Sequence, residues 1–355
     1  MPPKKLIFPA SDTPLEQVED LGRPRTAHLH LDCWKFVHRV IDPETGLFWV
    51  QKGFHGTEIS DRDRAGIKRE MTLTKSLAEK NPHIPYCGGL RETSHETSFL
   101  QANIAGNSLE NYIEKSNYPL FHVLWVGKEV SRILKTAHAE GVIHRDLKPE
   151  NIILGINENP LNQRRAHAPR IHIADWGAAQ KLPVPAEEIV SPYGTVNYVA
   201  PEAIICNKHT QTSRGQVMQD PKTQRYFLVH PQNDIFSLGV ILYRMATREL
   251  PFGERDAYAK EITPRSINDF GIAFPEDLDT VIQTMLSRAM EERYTRIEDV
   301  NANIRSLLKT TDRDLLRSPL IAPETLEPEM DDLEDIDTPD KDDDEWEKLV
   351  AQYCE

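Results

Sequence analysis

The sequence predicts an α+β fold of two unequal lobes, a small antiparallel-sheet lobe with one helix followed by a larger, mainly helical lobe. Three observations predict it. Residues 29–52 alternate like strands about a turn, residues 61–79 switch to helical spacing, and beyond a short strand at 98–102 helical stripes dominate. At 355 residues and 39% hydrophobic content, the chain can build one large domain or two modest ones.

Residues 1–28 are rich in proline and charge without a period, and read as a leader wrapped on the domain. Trp34, Phe36, His38 and Val40 then alternate with Lys35, Val37, Arg39 and Ile41. Asp42-Pro43-Glu44-Thr45-Gly46 is a strong turn, and 47–50 is a second apolar strand, so the pair is a hairpin. Ile67, Met71, Thr74 and Leu77 share one face of the helix over 61–79. Val123, Val126, Val130, Ile133, Leu134 and Ala137 form a helical stripe that stops at Gly141. Short apolar strands follow at 152–154 and 171–174. Later helices are predicted over 234–247, 277–290 and 297–308, the last on Ile297, Val300, Ile304, Leu307 and Leu308. Residues 155–170 and 206–230 are polar and aperiodic and read as surface insertions. Residues 312–355 read as disordered.

The charge is unevenly placed. The net is −14, yet residues 324–355 carry fifteen acids against Lys341 and Lys348, leaving 41 acids and 40 bases in the remainder. The acidity therefore belongs to a C-terminal tail, and the body is near neutral. No run of about 18 apolar residues predicts a membrane span, and Met1 to Ala10 lacks the apolar stretch of a secretory signal. Cys33, Cys87, Cys206 and Cys354 lie far apart, as free thiols do in a reducing compartment, so a cytoplasmic setting is expected, with a nuclear one as the alternative. His28 and His30 have no acid or cysteine at ligand spacing, and no basic cluster offers a nucleic-acid footprint.

Most of the chemistry sits in short contiguous runs. His144-Arg145-Asp146-Leu147-Lys148-Pro149-Glu150-Asn151 is the most informative. Asp175-Trp176-Gly177 follows an apolar strand, and Gly194-Thr195-Val196-Asn197-Tyr198-Val199-Ala200-Pro201-Glu202 comes next. Asp234-Ile235-Phe236-Ser237-Leu238-Gly239, Glu249-Leu250-Pro251-Phe252-Gly253 and Glu291-Glu292-Arg293 complete the series. In this order the runs resemble the eukaryotic-type serine/threonine protein kinase family over roughly residues 25–309. The implied division is a leader over 1–24, a small lobe over about 25–102, a large lobe over about 106–309 and an acidic tail over 310–355.

The resemblance implies roles. Asp146 would orient the acceptor hydroxyl and take its proton, Lys148 would balance charge on the transferred phosphoryl group, and Thr195 would contact both. Asn151 and Asp175 would hold magnesium, with manganese as a substitute, and Asp175 would reach the β- and γ-phosphates of ATP through the metal. Lys52, at the end of the second strand, would bind the α- and β-phosphates and pair with Glu70, 18 residues on. Gln101 would line the back of the adenine pocket, and Ala102 would open a hinge running to Ala105. Glu202 would pair, buried, with Arg293, and Asp234 would prop the catalytic loop.

The departure is the glycine-rich loop. Family spacing before Lys52 puts its glycines at about His30, Asp32 and Lys35, and none is glycine; Gly22 is too far upstream unless the loop is enlarged. Lys35 or Arg25 offers positive charge there, while Asp32 would repel phosphate.

The expected activity is therefore ATP-dependent phosphorylation of protein serine and threonine, since all six polar positions are filled. A pseudokinase acting as a scaffold is the alternative, marked by the missing glycines. A small-molecule kinase fits less well, because 194–202 resembles a protein-substrate platform. Ser191, before Pro192, is a candidate phosphorylation site with Arg145 as partner, and Glu187 with Glu188 is a constitutive substitute. In the tail, Trp346, Leu349, Val350 and Tyr353 sit at helical spacing and offer a segment for docking on a partner or on the chain's own lobes.

Overall fold

The computed structural model describes residues 8–9, 14–22, 33–155, 170–185, 190, 192–210, 212–253, 263–271, 274–318 and 320. The chain divides into two compact units, one to Ala105 and one from Gly106.

The first unit is built on a five-stranded antiparallel sheet in the order β1 (Glu16–Gly22), β2 (Cys33–Ile41), β3 (Phe48–Gly56), β5 (Glu96–Ala102) and β4 (Cys87–Glu92). Helix α1 (Asp61–Ala78) follows β3, capped by Ser60, whose hydroxyl accepts from the Asp63 N–H at 3.1 Å. The turn between β2 and β3 closes as its composition predicts, with the Gly46 N–H on Asp42 O and the Asp42 N–H on Leu47 O. One apolar cluster gathers Val40, Trp49 and Leu100 with Phe8 and Leu15; another joins Ile67 of α1 to Cys87 and Phe99, with Phe54, Met71 and Leu90 beside them. Lys52 stands in the middle of the sheet, opposite Val37 on one side and Phe99 on the other. Its neighbour Gly53 must be glycine, since a Cβ there would lie 2.2 Å from Thr97 O on β5.

One correction concerns this unit. Residues 16–22, read as leader, form β1, so the sheet begins upstream of residue 25. Its acids left no alternation to read, and Glu16 to Leu21 lie exposed at the sheet edge. Strand β1 ends at Gly22, opposite Val37. Residues 23–32, which separate β1 from β2 in the sequence and include Arg25, His30 and Asp32, lie outside the described residues. Lys35 lies on β2 opposite Phe54.

The second unit is mainly helical. It opens with β6 (Gly106–Ser108), α2 (Leu109–Lys115), α3 (Leu120–Ala139) and β7 (Val142–Ile143). Strand β6 pairs with β8 (Ile152–Gly155), which pairs with β9 (Arg170–Ile173). The 155–170 insertion thus connects β8 to β9, and 156–169 lie outside the described residues. After β10 (Gln180–Lys181), which pairs with β7, comes α4 (Pro201–Ile204). Helices α5 (Pro231–Thr247), α6 (Glu276–Leu286) and α7 (Ile297–Thr310) follow, α5 being buried almost throughout.

Two further expectations are corrected. Between α4 and α5 the insertion at 206–230, read as aperiodic, carries a β-hairpin, β11 (Gln216–Gln219) paired with β12 (Tyr226–Val229). Phe227, Leu228 and Val229 are fully buried, and the Asp220 carboxylate ties the turn by accepting from the Thr223 hydroxyl at 2.6 Å. The fold also continues past residue 312, as α8 (Arg313–Arg317), with Leu316 and Leu320 buried and the Leu320 N–H bonded to Tyr118 O. The tail beyond, with Trp346, Leu349, Val350 and Tyr353, lies outside the described residues.

Candidate active site

The charged centre of the second unit grows from the loop after β7. Asp234, one turn into α5, is fully buried and organises it. Its carboxylate accepts from the backbone N–H groups of His144 and Arg145, both at 2.9 Å, and contacts His138 Nε2 at 2.8 Å. Burial opposes a charge there, but the bond from His138 and the surrounding positive charge and N–H groups outweigh it and hold Asp234 below its ordinary range. Arg145 takes φ +68°, and His144 bridges the two halves of the loop, accepting the Asp146 N–H at Nδ1 and meeting Ala174 O at 3.1 Å through Nε2.

The structure brings Asp146, Lys148, Asn151 and Thr195 together. The Thr195 hydroxyl donates to Asp146 Oδ1 at 2.9 Å, Lys148 Nζ donates to Thr195 Oγ1 at 3.0 Å, and Lys148 Nζ lies 3.2 Å from Asp146 Oδ2. Asn151 Nδ2 donates to Asp146 O at 2.8 Å, which commits its amide nitrogen and makes Oδ1 the amide atom able to ligate a cation. The pairing of β8 with β9 sets Asn151 beside the next segment, through the Ala174 N–H to Asn151 O at 2.8 Å. Asp175 follows in the left-handed region at φ +55°. Trp176 behind it is 1% exposed, donates from Nε1 to Ile173 O at 3.0 Å and meets the His144 ring edge-on at 4.6 Å, so it anchors the turn that carries Asp175.

Among the described residues no group of three or more His, Cys, Asp and Glu is placed to hold a metal ion unaided. An amide oxygen and a carboxylate on adjoining segments are nonetheless a hard donor set. It suits magnesium, which keeps waters and takes phosphate oxygens for the rest of its shell.

The platform at 194–202 is pinned from below. Ser237 donates to Tyr198 O at 2.8 Å, and the Tyr198 hydroxyl meets Arg244 Nη1 at 2.6 Å while Arg244 Nη2 reaches Glu110 at 2.7 Å. Burial, against the pull of the Arg244 guanidinium, pushes the Tyr198 hydroxyl up to about 12. Arg293 grips Glu202 with two nitrogens at 2.8 and 3.3 Å, and Asn233 adds a donor at 2.8 Å. The Arg244 lock was invisible in the sequence, because its partners lie 46 and 134 residues away with no shared motif.

In the first unit, Lys52 Nζ lies 3.3 Å from Glu70 Oε1, and both side chains are buried. Gln101 is buried on β5 between Val50 and Cys87. Ala102 ends β5 and spends its N–H on Tyr86 O at 2.8 Å. Cys87 and Cys206 are free thiols; burial, with the Glu70 charge, pushes Cys87 up to about 12, which makes it inert rather than nucleophilic. No helix among the described residues is long and apolar enough to cross a membrane.

Comparison with known proteins matches residues 36–304 to the protein kinase domain. The chain is 30% identical over 253 residues to the serine/threonine-protein kinase PknD of Protochlamydia amoebophila and 27% over 264 residues to PknD of Chlamydia pneumoniae, covering 64% and 65% of this chain. It is 23% identical over 226 residues, 63% of this chain, to an Aurora kinase of Eremothecium gossypii. These matches span 22%, 24% and 52% of the relatives' own lengths.

Proposed function

Because the chain belongs to the protein kinase family, we propose that it transfers the γ-phosphoryl group of ATP to serine and threonine hydroxyls of proteins, with Asp146 as the base. The observation that carries this reading is the Asp146 carboxylate held between the Thr195 hydroxyl and the Lys148 ammonium.

Asp146 accepts the proton of the acceptor hydroxyl as the new O–P bond forms and the bond to the β-phosphate oxygen breaks, releasing ADP. Lys148 faces the charge that spreads over the transferred group, and Thr195 keeps the carboxylate turned toward the acceptor. Asn151 and Asp175 would hold magnesium, which would supply positive charge facing the β- and γ-phosphates. Lys52, oriented by Glu70, takes the α- and β-phosphates, while Gln101 and Ala102 stand by the adenine.

The test is transfer from labelled ATP to a generic protein substrate. Asp146→Asn is expected to lower kcat about 10²- to 10⁴-fold with nucleotide affinity retained. Equal silence of wild type and variant, in magnesium and in manganese, would end the enzyme reading. It would leave a scaffold, the reading favoured by the missing glycines of the nucleotide loop.

A further inference from the structure

The hairpin between α4 and α5 is bolted at both ends. The Cys206 N–H donates to Tyr226 O at 2.7 Å, and β12 runs directly into His230, which caps α5 by accepting the Gln232 N–H. Its buried side is turned on the segment after Asp175. Phe227 and Val229 share one apolar cluster with Ile143, which precedes the catalytic loop, and with Val184 and Val190 beyond β10. The Gln216 side chain pairs with both backbone groups of Val184, accepting its N–H at 2.8 Å and donating to its O at 3.4 Å. The Arg145 guanidinium lies 5.9 Å from the Phe227 ring centroid, donates to Ala178 O at 3.4 Å and belongs to a residue 8% exposed.

Segments of this kind are commonly ordered by an added phosphate that an arginine captures. Capture requires a guanidinium that solvent and phosphate can reach. Here the arginine of the catalytic loop is buried over a phenylalanine of the inserted hairpin. The segment after β10 is held by a side-chain amide and an apolar cluster, both permanent parts of the chain.

We propose that the hairpin Gln216–Val229 is a built-in positioning element for Leu182, Val184, Val190 and Arg145, which sets the site without phosphorylation of the segment after Asp175. Gln216 and Phe227 are its positioning residues; they touch neither acceptor nor nucleotide. The inference rests on the kinase reading only for its consequence in turnover, because the ordering of the segment is measurable by itself.

The experiment uses the full chain, treated with phosphatase and shown by mass spectrometry to be unmodified. Hydrogen exchange and steady-state kinetics are then compared for wild type, Ser191→Ala, Gln216→Leu and Phe227→Leu. Wild type is expected to keep its kcat within about twofold after phosphatase treatment, and Ser191→Ala to match it. Gln216→Leu removes two hydrogen bonds and is expected to raise exchange at 182–200 roughly tenfold and lower kcat similarly, with the KM for ATP unchanged. Phe227→Leu keeps the apolar volume but not the ring, and is expected to do the same more weakly. A tenfold fall of wild-type kcat on phosphatase treatment would overturn the proposal, as would wild-type exchange in both hairpin variants. If wild type has no activity before or after treatment, the kinase reading fails, and the exchange at 182–200 alone decides the hairpin's role.

Discussion

Two buried ion pairs, one in each unit, show how differently the halves of the chain hold their charge. Lys52 meets Glu70 at 3.3 Å through one carboxylate oxygen, from the middle of a strand to the face of a helix. Glu202 meets Arg293 through both oxygens and takes a third bond from Asn233, while Arg293 also donates to Gln232 O and Ser287 O. An ammonium on a flexible stem can be re-aimed. A planar guanidinium forked onto a carboxylate and two carbonyls cannot, short of unfolding its surroundings. The first arrangement suits a group that must turn to a ligand; the second suits a joint between α4 and the loop before α7.

The contrast breaks if the two pairs respond alike. Glu202→Ala leaves the Arg293 guanidinium buried without its carboxylate, and is expected to cost about 3–5 kcal/mol. For a unit of this size that lowers Tm by about 6–20 °C, read by calorimetry. Lys52→Met together with Glu70→Gln removes both charges, and is expected to cost less than about 5 °C but to reduce kcat/KM about 10²- to 10³-fold, the loss of one electrostatic contact to the transferring phosphates. A Tm fall for this double variant as large as that for Glu202→Ala would show that both pairs are structural.

A milder change sharpens the same point within the second unit. Arg244→Lys keeps the charge but loses the fork onto Glu110 and Tyr198, and should cost about 1–2 kcal/mol in urea unfolding. Nucleotide affinity should not move, since the lock acts on the platform. If Arg244→Lys weakened nucleotide binding instead, the assignment of this lock to the platform would be wrong.

The two units also differed in how much of them could be read from sequence. In the second, the Asp146 centre and the platform depend on residues packed into runs such as 144–151 and 194–202, because one tight loop must present several groups at once. Helices α3 and α5 announced themselves through apolar stripes that a buried helix needs. In the first unit, β1 hid behind its acids, and β4 begins Cys87-Gly88-Gly89, where glycine erases alternation and the register slips before Arg91. The hairpin of residues 216–229 was hidden for another reason. Only β12 is buried, and the four-residue apolar run at 226–229 follows a turn held by side-chain bonds from Asp220. What stayed illegible is what depends on partners distant in sequence: Arg244 with Glu110, and Gln216 with Val184.

Acid offers the gentlest way to load the second unit's joint, since His230 caps α5 beside it. Burial, against the pull of the Glu202 charge, lowers His230 from 6.5 to about 4, and burial lowers His122, in contact with the Tyr112 hydroxyl, to about 4 as well. Arg214, Arg293 and His138 add to the effect at His230. The folded protein therefore leaves both rings neutral where the unfolded chain protonates them. Their contribution is whole above about pH 6.5, drains as the pH falls, and is gone below about pH 4. Between pH 7 and 5.5 each histidine should remove about 1 kcal/mol of stability, visible as a lower urea midpoint. His230→Asn retains an oxygen that can cap the helix but does not titrate, so it should flatten half of that fall while leaving stability at pH 7 within about 1 kcal/mol. A fall of unchanged size in His230→Asn would place the acid sensitivity of this unit elsewhere than at the start of α5.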